Sequence, residues 1–131
     1  MPNPSQRKRI IPERLDKIRI RHWKVYVRQL AAKLGGGLRN VRVVNSLIAE
    51  SKTLKKQKKL TNNEVDRLAT RLIEQTTFLA DHLDQARIKS GHSSEWVRHY
   101  EFYLDYCEKN VPPEVSRSIR KKTIPDYKEE E

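Results

Sequence analysis

The stretch from Thr61 to Lys89 constrains the fold of this chain more than any other. Thr61-Asn-Asn-Glu64 has the spacing of a capping box, in which the Thr hydroxyl and the Glu carboxylate each satisfy the other's free backbone N–H. Behind it Val65, Leu68, Ala69, Leu72, Ile73, Leu79, Ala80, Leu83 and Ala86 recur at helical intervals. The spacing predicts a helix over 62–89, and an apolar stripe that long must be covered by other helices. Asp66, Glu74, Asp81 and Asp84 are expected to leave its outer side mixed or acidic.

Candidate partners lie on both sides. In Glu13–Leu34, Leu15, Ile18, Trp23, Tyr26, Leu30 and Leu34 share one broad face. Pro12 precedes this segment, where a missing N–H costs nothing, and Gly35-Gly36-Gly37 supplies the geometry that ends a helix. Val41, Val44, Leu47 and Ile48 fit a helical face over Leu38–Ser51. Val41 and Val43 alone would fit a short strand, but length and helical neighbours favour helix. Ser90-Gly91-His92 breaks the chain, and Ser93 or Ser94 is placed to cap a further helix to about Asn110. Its face is Trp96, Val97, Tyr100, Tyr103, Leu104 and Cys107. Val111-Pro112-Pro113 stops that helix, and Pro113 can begin a short last one through Lys122. The prediction is all-α: a bundle of four to five helices over 13–122, behind a basic arm at 1–12 and before an acidic tail at 123–131.

Charge is divided unevenly along the chain. Of a net +11, residues 1–60 hold 17 Lys/Arg against 3 Asp/Glu, a net of +14, and residues 61–131 hold 11 against 14, a net of −3. Such asymmetry points to an electrostatic footprint on one side of the fold and another duty for the rest. Within the basic half, Arg14, Lys17, Arg21, Lys24 and Arg28 recur at steps of three and four, opposite the apolar face of their helix. Like charges so placed repel by roughly 0.2–0.5 kcal/mol per pair, so a polyanion laid against them is the natural counterpart. The arm contributes Arg7, Lys8 and Arg9, and little in it can be buried to offset its ordering entropy. Arg39 and Arg42 extend the basic side, and the run Lys52–Lys59 adds Lys55, Lys56, Lys58 and Lys59 as a cationic loop. Flexible ammonium groups suit sequence-blind contact with phosphate rather than reading of bases. His22 falls in or beside the stripe and joins it as a phosphate contact. Arg117, Arg120, Lys121 and Lys122 form a smaller second cluster. This reading requires the basic side chains of the first half to converge on folding into one ribbon.

Other chemistries find little support. The lone Cys107 cannot form an intramolecular disulfide and sits on an apolar face, away from the exposure a nucleophile needs. None of His22, His82, His92 and His99 is four residues from another, so no helical metal pair exists, and His82 and His99 are expected on the surface. Asp81 and Asp84, three apart on one helix, are common on solvated faces and make a poor case for acid–base catalysis. Gly35–Gly37 matches neither the Walker pattern nor the dinucleotide fingerprint. No metal, cofactor or enzymatic activity is expected. No apolar run approaches the ~18 residues needed to cross a bilayer. The first residues are basic but lack the apolar core of a secretory signal, and Pro2 and Pro4 argue against a transit helix, so a cytoplasmic protein with a reduced thiol is expected. Trp96, Tyr100, Phe102, Tyr103 and Tyr106 fall within eleven residues and are read as core, with Phe102 and Tyr106, off the main face, as protein-contact candidates.

Three functional readings remain. The first is a non-catalytic, sequence-independent nucleic-acid backbone binder within a ribonucleoprotein. The second is a stand-alone DNA-binding or ribosome-associated protein, with Gly35–Gly37 as the turn of a helix-turn-helix and Leu38–Ser51 as its recognition helix. The third is a peripheral membrane or adaptor protein, which would need the apolar face of Glu13–Leu34 to be spare. The first accounts for most features, since few Asn or Gln side chains accompany the cations. The small size, the basic all-helical character and the aromatic helix Glu101-Phe-Tyr-Leu-Asp-Tyr-Cys-Glu-Lys109 resemble the small subunits of CRISPR effector complexes. The likeness covers Leu38 to Lys109 and is architectural; of the Ala-Gly-Arg signature of one branch only Gln85-Ala86-Arg87 is present. It implies a bundle that stacks in copies, holds guide, target or displaced strand by the backbone through its basic side, and meets sister subunits through its aromatic and acidic half.

Overall fold

A computed structural model describes residues 37–125 together with Val25 and Tyr127. Four α-helices follow in order: α1 Gly37–Lys56, α2 Asn62–Lys89, α3 Trp96–Asn110 and α4 Pro113–Thr123. No strand occurs among the described residues. The helix expected over Glu13–Leu34 lies outside them except for Val25, which is helical and exposed. The arm and most of the acidic tail also lie outside.

α2 is the axis of the bundle, and α1, α3 and α4 all pack on it. Leu68, Leu72, Leu79 and Leu83 are fully buried along its length. Val44, Leu47 and Ile48 of α1, Tyr103 and Leu104 of α3, and Val115 and Ile119 of α4 join the same core. The apolar stripe of α2 has a gap between Ile73 and Leu79, and Thr76 fills it. Thr76 is fully buried because its hydroxyl donates to the Leu72 carbonyl one turn back, at 2.7 Å. Thr123 is buried in the same way, donating to the Ile119 carbonyl at 2.8 Å.

Both long helices stop by the same device. At the end of α2, Gly91 takes a φ of +82°, its N–H donates to the Ile88 carbonyl and that of His92 to the Arg87 carbonyl. This is the Schellman pattern, with glycine where the left-handed residue falls. At the end of α1 the matching bonds run from Lys58 N–H to Lys55 and from Lys59 N–H to Leu54. Here the left-handed residue is a lysine, Lys58, at φ +58°. The helix therefore continues through Lys56, past the expected stop at Ser51, and residues 52–56 of the supposed lysine loop are helical. Lys55 and Lys56 then sit in the last turn, where cations complement the exposed carbonyls.

Helix starts also depart from expectation. The Thr61 hydroxyl accepts the Glu64 N–H at 3.3 Å, as a capping box requires. The reciprocal bond is replaced: Thr61 N–H donates to the Lys59 carbonyl, and the Glu64 carboxylate turns to Arg67 at 2.6 Å. Neither Ser93 nor Ser94 caps α3. Asp84 does so from α2, accepting the Glu95 N–H at 2.6 Å and the Ser94 hydroxyl at 2.8 Å. Asp84 is thus buried rather than on an acidic outer side.

Candidate nucleic-acid interface

The arm residues Arg7, Lys8 and Arg9, the stripe Arg14, Lys17, Arg21, Lys24 and Arg28, and His22 lie outside the described residues. The remaining candidates are Arg39, Arg42, Lys55, Lys56, Lys58 and Lys59, and all six are exposed. Four of the six line two separate grooves, and Lys58 and Lys59, in the turn after α1, line neither. Arg39 and Arg42, one turn apart on α1, line a groove against α2 that also holds Ser46, Glu50, Arg67 and Arg71. Lys52, Lys55 and Lys56 line a second groove, closed by Lys109, Asn110 and the Val111–Pro113 bend between α3 and α4. The division follows from position along the helix: Arg39 and Arg42 lie in the first third of α1, where the groove faces α2, and Lys52, Lys55 and Lys56 in its last turns, beside the end of α3.

Ion pairing separates the cations further. Among the described residues, Arg39, Arg42, Lys52, Lys56, Lys58 and Lys59 make no ion pair. Lys55 is the exception in this half: it donates to the Glu114 carboxylate, and that bond holds the Glu114 carboxyl below its ordinary range. Later in the chain the pattern reverses. Lys109 pairs with buried Asp105 at 3.0 Å, Arg120 with buried Glu108 at 3.0 Å, Lys122 with Asp66 at 2.5 Å, and Arg87 with Glu95 at 3.2 Å. In the smaller cluster of α4, Arg120 and Lys122 are thus spent on tying that helix to α3 and α2.

Two arginines of α2 belong to the first groove and were not read from the sequence as part of the basic side. Arg71 is exposed and makes no ion pair among the described residues. Arg67 donates through one Nη to Glu64 at 2.6 Å and to Glu50 at 2.5 Å, and these two carboxylates raise its pKa above the ordinary value. With side chains about two-fifths exposed on both partners, the Arg67–Glu50 pair contributes no more than ~1 kcal/mol and is readily opened. A helical-wheel comparison of α1 with α2 carries the signal for Arg67 and Arg71. It requires knowing which helices are neighbours.

The aromatic segment is used mainly for packing. Tyr100 and Tyr103 are buried, and Trp96 stacks on Tyr100 with ring centres 5.1 Å apart. Phe102 and Tyr106, the protein-contact candidates, are only half-buried and pack against the core. The Tyr106 hydroxyl donates to Asn45 at 3.0 Å, tying α3 to α1. The large apolar side chains exposed in the bundle are instead Phe78 and Ile88, both on α2. His99 is buried, against expectation, and burial lowers its pKa despite the opposing charges of Asp84 and Glu95. Cys107 is buried beside the Thr76 hydroxyl. Among the described residues no group of His, Cys, Asp or Glu could hold a metal ion, and no helix is long and apolar enough to cross a membrane.

Comparison with protein-family models, with curated proteins and with solved structures finds no match in any of the three. The reading of function rests on the chain's own residues.

Proposed function

We propose that this chain is a non-catalytic, sequence-independent nucleic-acid backbone-binding subunit of a cytoplasmic ribonucleoprotein. One observation carries the reading: in the described part of the basic half, all candidate cations but Lys55 are exposed and free of carboxylate partners, whereas most cations of the second half are paired. Unpaired cations at helical spacing repel one another, and counterion release from a phosphate backbone repays that repulsion. Arginine and lysine together, with few amide side chains beside them, favour backbone contact over base reading. The resemblance to CRISPR small subunits supplies one setting, in which further copies of the chain and a guide or target strand are the partners.

Co-purification from the native host, with and without nuclease, tests this. A defined RNA with fixed protein partners is the expected result, and nuclease should dissociate them. Heterogeneous DNA without protein partners would favour a stand-alone DNA binder, and lipid without nucleic acid would overturn the reading.

A further inference from the structure

The groove between α1 and α2 is lined by four arginines from two helices. Arg39 and Arg42 stand one turn apart on α1, and Arg67 and Arg71 one turn apart on α2. Three of them make no ion pair among the described residues. Arg67 is occupied, and one of its two partners, Glu50, stands on α1 inside the same groove. An anion entering there meets a carboxylate already seated on one of the four arginines. Carboxylate and phosphate compete for the same planar donors.

We propose that the α1–α2 groove is a phosphodiester-binding site in which Arg39, Arg42 and Arg71 receive the backbone and Glu50 is an internal anion that holds Arg67 until a phosphate displaces it. Glu50 thereby sets the affinity of the site. Glu64, one turn from Arg67 on α2, keeps that guanidinium in place during the exchange, since its bond at 2.6 Å does not cross the groove. The Ser46 hydroxyl lies among the same residues and is a further donor to a phosphate oxygen. The lysine groove is the weaker candidate, because Lys55 and Lys109 are each engaged by a carboxylate and its far wall is Val111, Pro112 and Pro113. The proposal rests on the nucleic-acid reading and gives it an address.

The test is fluorescence anisotropy of the full chain with a mixed-sequence single-stranded RNA at a series of salt concentrations, with polyglutamate as a second probe and thermal melts to verify folding. The variant R39Q/R42Q/R71Q should bind the RNA roughly tenfold more weakly, and its log–log salt slope should fall by about 2, at ~0.7 for each phosphate no longer neutralised. E50Q should bind several-fold more tightly, and that gain should vanish in an R67Q background. A gain that survives R67Q would mean only general removal of negative charge and would overturn the displacement. If the triple variant binds RNA like the parent while neutralising Lys17, Arg21, Lys24 and Arg28 abolishes binding, the groove is idle and the nucleic-acid reading stands. A parent that binds no RNA ends both. If E50Q tightens polyglutamate alone, the occupant is an acidic peptide and the proposal fails.

Discussion

The carboxylate of Asp84, in the last third of α2, accepts the backbone N–H of Glu95 at 2.6 Å and so caps α3 from a neighbouring helix. Within α3 itself no side chain performs that role. The loop between the two helices is held at the same point, because the Ser94 hydroxyl also donates to Asp84 and the Arg87 Nε donates to the Ser93 carbonyl. Replacing Asp84 with Ala is expected to destabilise the fold by about 2 kcal/mol, more than an ordinary cap, because a buried acceptor of two hydrogen bonds is removed. Ser94→Ala should cost less. Urea unfolding of the two variants checks the order.

Lys58 is a left-handed residue where α2 uses glycine in the equivalent place. Lys58→Gly should raise stability by roughly 0.5–1 kcal/mol, the relief of the left-handed penalty less the entropy added to the unfolded chain. Gly91→Ala should do the opposite, since φ +82° is unfavourable for alanine even though open space surrounds the position. Denaturant midpoints of the pair give the answer, and an equal effect of both substitutions would contradict the geometry.

Leu72 is fully buried at the middle of α2. Leu72→Ala is expected to cost ~2–5 kcal/mol through the cavity it leaves, a large share of the stability of a domain this size. Thermal melting followed by circular dichroism measures it.

Burial lowers the pKa of His99 in the folded chain below its unfolded value near 6.5. The unfolded state then binds a proton that the folded state refuses, so stability is full above about pH 6.5 and declines as the pH falls from there toward the folded pKa. Asp84, Glu95, Arg87 and Arg98 all act on the imidazole, and the two carboxylates moderate the decline. Urea midpoints should drop between about pH 7.5 and about pH 5.5 in the parent and drop less in His99→Gln.

These sites also explain what could be read from residues alone. The extent of α2, from Asn62 to Lys89, follows from a cap, a stripe and a glycine stop, all of them local features. The end of α1 did not, because a lysine occupies the position where a glycine would have announced the stop. Asp84 looked like a solvated charge because its partner is the backbone of another helix, which no periodicity reveals. His99 looked like a surface residue for a similar reason: its cover comes from tertiary packing. The basic half was plain from the charge count, but the placing of Arg39 and Arg42 in one groove and of Lys52, Lys55 and Lys56 in another depends on which helices pack against each end of α1. The inclusion of Arg67 and Arg71 depends on that same juxtaposition.

Backbone binding by the basic half is tested most directly by the salt dependence of nucleic-acid affinity, measured for the full chain and for a variant with Lys17, Arg21, Lys24 and Arg28 neutralised together. The expected result is weaker binding by the same factor on unrelated sequences, with a log–log slope on duplex DNA reduced by roughly 0.9 for each phosphate no longer neutralised. Neutralising Lys55, Lys56, Lys58 and Lys59 should have a smaller effect, since Lys55 already serves Glu114. Unchanged affinity and slope in the first variant would show those cations to be a solvated face and would contradict backbone binding through them.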